Sequence, residues 1–274
     1  MARILALSSH VAFGSVGLGA IVPALHWLGH EVIALPTIVL SNHPGYARFA
    51  GELIAPAKIE AMLDALEANG WLARADAILT GYLPSAAHVA VARSAVERVR
   101  RANAAALYLC DPVFGDDPNG LYLAEATAAA IRDDLIPLCS VVTPNRFELS
   151  WLASMPVDGP EAARDAAQGL TVPAVLATSI PAGDNHLANA LVTPNEAITC
   201  TVRRRDAAPH GTGDLLAALY LGRVLNGEAP AAALAAAAAA VEASIAASMG
   251  RDELPLASAG ALWANVHRLP TAPI

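Results

Sequence analysis

Short β-branched or leucine-rich runs alternate with helical stretches of ten or more residues through the first two thirds of the chain, and this alternation restricts the fold more than any other feature. The runs RILALS, EVIALPT, AILTG, ALYLC, SVVTPN and AVLAT read as strands. Between them, segments such as KIEAMLDALEANGWL and HVAVARSAVERVRRA carry apolar residues at helical spacing. Strands that alternate with helices build βαβ units, whose crossovers make neighbouring strands parallel and cover both faces of the sheet. After Thr178 the pattern changes: HLANALV and EAITCTV read as a late antiparallel pair, followed by a glycine stretch and a helical tail. The expected architecture is therefore α/β, a central, mostly parallel sheet flanked by helices on both faces. With 274 residues, 55% of them hydrophobic, and no linker, repeat or charge run to divide it, residues 1–274 are expected to form one domain.

Charge and cysteine usage exclude several classes of function. A formal net charge of −8 leaves no basic stripe to neutralise a phosphate backbone, so nucleic acid is not an expected partner. Cys110, Cys139 and Cys200 lie far apart, are odd in number and lack metal-ligand spacing, which argues against a disulfide framework and a zinc site and for a reducing, cytoplasmic setting. No export signal is evident, because Ser8, Ser9 and His10 interrupt the first apolar patch. The alanine-rich run Ala229–Ala247 is expected to be a closely packed internal helix, with Glu242 interrupting it short of the roughly 18 strongly apolar residues of a membrane span.

In open α/β sheets ligands collect beyond the carboxyl ends of the strands. Those ends are polar here: Ser8, Ser9 and His10; Ser41, Asn42 and His43; Gly81 and Tyr82; Asp111 and, further on, Asp116; Thr143, Pro144, Asn145 and Glu148; Thr178 and Ser179. Singly each is an ordinary turn, but together they outline one rim. The glycine-rich stretch GSVGLG satisfies neither GxxxxGK[ST] nor GxGxxG, which excludes two common nucleotide loops. What remains is GTGD, residues 211–214, before a long apolar run. Glycines there expose backbone N–H groups at the start of a helix beginning near Asp214, where the orphan donors and the positive dipole end attract anions. Asp214 then reads either as a base for an acceptor hydroxyl or simply as the N-cap of that helix.

HGTGDLLAALYLG resembles the anion-hole and catalytic-aspartate segment of the ribokinase superfamily. SHVAFGSVG, WLGHEVIALPTIVLSNHPGYARFAG, TGYLPS, CDPVFGD and TPNRFEL, in that order, resemble its pyridoxal kinase branch. The resemblance implies a ribokinase-like fold, ATP as co-substrate, magnesium and potassium as ions, a vitamin B6 acceptor and a homodimer. It implies that Asp214 is the base for the acceptor's hydroxymethyl group and that Gly211, Thr212 and Gly213 offer donors to the transferring phosphoryl group. Ser9, Val16, His43 and Tyr82 would hold the vitamin ring. Asp111, Thr143 and Glu148 would surround the metal ions, with Asp116, Asn145, Thr178 and Ser179 also on the ATP side. The DPNGLYL segment after Asp116 would be a small flap over the site.

Local readings stand beside these roles. Asn145 and Glu148 have capping-box spacing, Tyr82 also fits a core aromatic, and His43 a turn. Arg203, Arg204 and Arg205 form the one notable basic cluster, either a solvated strand end or an attractor for ATP. Ser8, Leu18 and Pro44 depart from the glutamine, asparagine and threonine usual in that branch, which leaves the choice among pyridoxal, pyridoxine and pyridoxamine open. Hydroxymethylpyrimidine phosphorylation and non-catalytic pyridoxal binding are the alternatives.

Overall fold

The chain builds one ten-stranded sheet whose central strands are sealed from water on both faces, as the near-continuous apolar runs require. The computed structural model describes residues 1–205 and 208–274. Its strands are β1 (Arg3–Val11), β2 (Glu31–Leu40), β3 (Gly51–Leu53), β4 (Ala77–Thr80), β5 (Leu107–Cys110), β6 (Gly115–Asp116), β7 (Gly120–Leu121), β8 (Val141–Val142), β9 (Ala174–Pro181), β10 (His186–Val192), β11 (Ala197–Arg203) and β12 (Thr271–Pro273). The helices are α1 (Leu18–Trp27), α2 (Pro56–Ala68), α3 (Ala86–Ala102), α4 (Glu125–Ala130), α5 (Arg146–Ala153), α6 (Pro160–Gly169), α7 (Thr212–Leu225), α8 (Pro230–Ala247) and α9 (Leu256–Ala264).

Sheet order is β12-β11-β10-β9-β8-β5-β4-β1-β2-β3, while β6 and β7 form a separate hairpin. The six strands from β9 to β2 run parallel; β10, β11, β12 and β3 are antiparallel additions at the edges. Strand order reverses beside β1, which leads on one side to β2 and on the other to β4, so the crevice between β1 and β4 is the topological switch point.

Period-two alternation divides the core. On β1, Leu5 and Leu7 join α2, α3, α5 and α6 on one face, while Ile4 and Ala6 join α1, α7, α8 and α9 on the other. Each such fully buried leucine or isoleucine contributes roughly 1.5–3 kcal/mol. The alanine-rich α8 is long and apolar enough to cross a membrane by length and composition, but half of it is buried within the fold, where Ala233–Ala240 pack under α7 and α9. Small side chains also bring α7 against α1: a methyl group on Gly222 would lie 2.6 Å from Leu28.

Several boundaries differ from those read in the sequence. β1 does not end at Ser8 but continues to Val11, because Ser8–Val11 still pair with β2 across a bulge after β4 has stopped at Leu7↔Thr80. Ser9 and His10 therefore stand within a strand that overhangs its neighbour, and the overhang opens the crevice. Likewise β9 runs on through Thr178 and Ser179 to Pro181; the register shift against β10 and the left-handed Ser179 (φ 58°) mark a bulge there rather than a strand end. The edge strands β3 and β12 carry no recognisable pattern, being three residues each and fully exposed.

Candidate active site

At the switch point the turn at Gly211–Gly213 is built by exclusion of side chains. Gly211, with φ of 91°, is the N-cap of α7, and a methyl group there would lie 1.8 Å from the Ser15 carbonyl oxygen. The helix starts at Thr212, two residues earlier than the sequence indicates, and no side chain caps it. Its first N–H groups, on Thr212, Gly213 and Asp214, thus face the crevice end of the sheet without an intrahelical partner.

Asp214 is consequently not the N-cap but the third helical residue, and its carboxylate turns away from its own helix: Oδ2 accepts the N–H of Gly17 at 2.9 Å. The capping alternative for Asp214 falls on that bond. Gly17 itself tolerates no side chain, since a methyl group would approach the Ser9 carbonyl oxygen to 2.2 Å. From β4's side, Gly81 presses on buried Ser8, whose hydroxyl accepts the Tyr82 N–H at 3.2 Å, and a Cβ on Gly81 would lie 3.6 Å from Asp214 Oδ1. Three glycines and one buried serine thus frame a half-buried carboxylate. Enclosure raises its pKa to about 6, with the Gly17 N–H working in the opposite direction.

The acid side of the rim begins 4.0 Å from where a Gly213 Cβ would stand, at Asp111 Oδ2. Asp111 is buried after β5 and its Oδ1 accepts the Thr143 hydroxyl at 2.8 Å. Burial, and then the Asp214 charge, push its pKa well above the ordinary carboxylate range. Glu148 is raised in the same way by burial and by Asp111. Asn145 and Glu148 do form a capping box for α5. Glu148 Oε2 accepts the Asn145 N–H at 2.8 Å, its Oε1 the Phe114 N–H at 3.1 Å, and the Asn145 side-chain amide donates to the Gly115 carbonyl at 2.8 Å. The capping box therefore also anchors the β6–β7 hairpin, which carries Asp116. Thr178 joins this group through its N–H to the Pro144 carbonyl at 2.9 Å, whereas Ser179 lies exposed beyond it.

Among the described residues no three His, Cys, Asp or Glu side chains converge to cage an ion by themselves. The charge of Asp214 raises Asp111 and that of Asp111 raises Glu148, and no described cation offsets either. The donor set fits a hard cation held mainly by Asp111: Glu148 has spent its oxygens on backbone N–H groups and offers charge, and Thr143 steadies Asp111.

On the β1–β2 side of the crevice, Val16 is buried with Val11 and Leu40, and Ser9 lies against Gly17. Tyr82 is half-buried, its carbonyl accepting the Thr37 hydroxyl at 2.8 Å. His43 stacks on His210, ring centroids 3.7 Å apart, and burial followed by His210 lowers its pKa. Beside this stack a cavity of about 660 Å³ is lined by Tyr46, Arg203, Arg204, Arg205 and Arg251, a size suited to a small molecule. Arg205 is ion-paired with Glu242, while Arg203 and Arg204 are exposed.

Residues 26–256 match the phosphomethylpyrimidine kinase family. Pyridoxal kinase PdxY of Corynebacterium diphtheriae is 36% identical over 239 residues, 85% of this chain and 84% of that one. Pyridoxal kinase PdxY of Deinococcus radiodurans is 37% identical over 235 residues, covering 81% and 79%. This chain belongs to the pyridoxal kinase family. The structure of pyridoxal kinase from Leishmania donovani in complex with ADP and pyridoxine superposes with a TM-score of 0.93 at 28% identity, over 99% of each chain. Pyridoxal kinase from Entamoeba histolytica shares the fold with a TM-score of 0.93 at 24% identity over all of both chains. The family's vitamin-kinase architecture is thus present from end to end.

Four residues of the site are not apparent from the sequence. Gly17 sits in GSVGLG, which fails as a nucleotide loop and instead serves Asp214. Ser8, read as one of the rim residues and as a departure from the branch, proves to be the buried floor beneath Gly81, a part its position in the sequence does not show. His210 gives its ring to His43. Tyr122, following β7, is about half exposed, and its hydroxyl pKa is raised by burial of that group and then by the charges of Glu148, Asp111, Asp116 and Asp214.

Proposed function

We infer that this chain transfers the terminal phosphoryl group of ATP to the 5′-hydroxymethyl group of pyridoxal, releasing pyridoxal 5′-phosphate and ADP in vitamin B6 salvage. The observation that carries the reading is Asp214: a carboxylate near pKa 6, oriented by the Gly17 N–H and set in the first turn of α7 beside uncapped N–H groups. A pure binding protein has no use for a half-buried carboxylate at an anion site, where it opposes anion binding. A phosphotransferase needs both in one place.

In this reading the acceptor hydroxyl gives its proton to Asp214 as the phosphoryl group passes through a loose transition state. The N–H groups of the Gly211–Gly213 turn and the dipole of α7 hold the charge on its equatorial oxygens. Ser9, Val16, His43 and Tyr82 orient the vitamin, whose flat ring stacks on Tyr82 for roughly 0.5–1.5 kcal/mol. Asp111, with Thr143 and Glu148 beside it, would hold magnesium, which would neutralise phosphate oxygens and relieve the repulsion between the acids. Potassium enters as an activating ion. Asp116, Asn145, Thr178 and Ser179 form the nucleotide side, with the β6–β7 hairpin as a flap that excludes water. The chain acts as one catalytic domain in a reducing, cytoplasmic setting consistent with three free cysteines. Exposed Phe13, Phe49 and Leu53 near the β3 edge support a homodimer, and nothing in the acidic charge favours nucleic acid.

Purified protein assayed for ADP release with magnesium and potassium, on pyridoxal, pyridoxine, pyridoxamine and hydroxymethylpyrimidine in parallel, tests this. Turnover on pyridoxal is expected. Turnover on hydroxymethylpyrimidine alone would replace the reading with hydroxymethylpyrimidine phosphorylation, and none on any acceptor would end it.

A further inference from the structure

Asp214 owes its orientation to a bend that has no regular structure of its own. Gly17, which donates to it, belongs to the Gly14–Gly17 segment between β1 and α1. One side of that segment is wedged against Ser9 and against Gly211, where the Ser15 carbonyl leaves no room for a methyl group. The other side is held by a residue from the far end of the chain. Glu253 Oε2 accepts the Ser15 N–H at 2.9 Å, and the Ser15 hydroxyl donates to the Leu254 carbonyl at 2.9 Å, with Leu254 buried in the core.

The second oxygen of Glu253 accepts the Tyr46 hydroxyl at 2.8 Å. That bond, ahead of burial, pushes the Tyr46 pKa up to about 12, so Tyr46 remains the donor at any physiological pH. Three residues before Tyr46 lies His43, stacked on His210, which immediately precedes Gly211. The contacts close a ring: Asp214, Gly17, Ser15, Glu253, the His43–Tyr46 loop, His210, Gly211 and back to Asp214.

We propose that Glu253 is a positioning residue for phosphoryl transfer, its carboxylate tethering the Ser15–Gly17 bend to the His43–Tyr46 loop and so setting the Asp214 carboxylate and the Gly211 turn in register. The proposal rests on the kinase reading above. Glu253 acts through Ser15 and Gly17, and what it supplies is two acceptor positions at fixed spacing. Misplacing a reacting group by about 1 Å costs on the order of 10²-fold.

Wild type, Glu253→Ala, Glu253→Gln and Glu253→Asp are compared by steady-state kinetics and by amide hydrogen exchange. Glu253→Ala is expected to lower kcat roughly 10- to 100-fold with KM for ATP within about twofold, and to speed exchange at residues 15–17 and 211–214. Glu253→Gln is expected to restore kcat to within about threefold, because its amide oxygen accepts from Ser15 and its NH₂ donates to the Tyr46 oxygen. In an Asp214→Asn background, Glu253→Ala is expected to cost several-fold less than it does in the wild type, since only the Gly211 turn is then left for the tether to position. An unchanged kcat in Glu253→Ala, a full second loss in the double variant, or rescue by Asp but not by Gln overturns the tether. If the alanine variant does not fold, Glu253→Asp, one methylene too short to span both partners, carries the same kinetic expectation. A wild type inactive on every acceptor sinks the kinase reading; exchange then decides the tether alone, and unchanged protection at residues 15–17 and 211–214 overturns it.

Discussion

The two halves of the rim are built on opposite principles. On the glycine side, Gly17, Gly81 and Gly211 are positions where a single added carbon would collide with Ser9, Ser8 and Ser15, so close packing, together with the Ser15 and Gly17 hydrogen bonds, holds the backbone donors in place. On the acid side, Asp111 and Glu148 are buried with raised pKa values and Tyr122 is drawn into the same field. The first half is finished in the folded chain, while the second is left in a state that a bound cation would relieve. Asp214 belongs to both: a glycine N–H orients it, and its charge helps to raise Asp111. The reacting groups belong at that seam, where rigid donors meet unbalanced charge.

The strongest way to break this comparison is to neutralise the seam. Asp214→Asn keeps the size of the side chain and removes the base; kcat is expected to fall roughly 10²- to 10⁴-fold with ATP affinity preserved. An unchanged kcat would overturn the assignment. Next comes the glycine side. Gly211→Ala forces a side chain into the left-handed region against the Ser15 carbonyl, and a loss on the order of 10² in kcat is expected together with about 1–3 kcal/mol of stability, read from a thermal melt. If the melt moved and the rate did not, the turn would be a structural corner and nothing more.

A pH series separates the halves with smaller steps. Only ionised Asp214 accepts a proton, so kcat/KM should fall about tenfold per pH unit below pH 6 and level off above it. Stability runs the other way. Because folding raises Asp214 from 3.8 to about 6, the folded state holds this proton more tightly than the unfolded chain, so that contribution is complete below pH 3.8 and is lost as the pH rises through 6. Asp214→Asn should therefore melt like wild type near pH 4 but higher than wild type at pH 8, by the equivalent of about 1–2 kcal/mol. Equal differences at both pH values would mean that Asp214 is not strained in the fold.

How much of this was legible in the sequence follows from the range of each interaction. Strands β2, β4, β5, β8 and the β10–β11 pair could be placed from their apolar runs, and on β4, β5 and β8 two-sided burial leaves that mark on consecutive residues. The bounds of β1 and β9 could not, since Ser8–His10 and Thr178–Ser179 are polar and continue their strands across bulges that only a partner strand defines. The Asn145–Glu148 capping box is local and was visible. The Gly17–Asp214 bond joins residues 197 positions apart, and the Ser15–Glu253 bond spans 238, so no window of sequence holds either. Asp214 was recognisable from its neighbours in GTGD, while the groups that orient it were not.

The smallest expected effect concerns Tyr82, an aromatic on the glycine side. Tyr82 follows Gly81 directly, and its main chain is pinned independently of its ring: the N–H goes to Ser8 and the carbonyl receives Thr37. Truncation to alanine should therefore leave the backbone and the Asp214 seam where they are and remove only the face offered to a flat heterocycle. Stacking of roughly 0.5–1.5 kcal/mol corresponds to about a 2- to 10-fold weaker Kd for pyridoxal, measurable by calorimetry, with Kd for ATP unchanged. If Tyr82→Ala weakened both ligands equally, the ring would belong to the common frame of the cleft, and the vitamin would have to lie elsewhere along the β1 overhang.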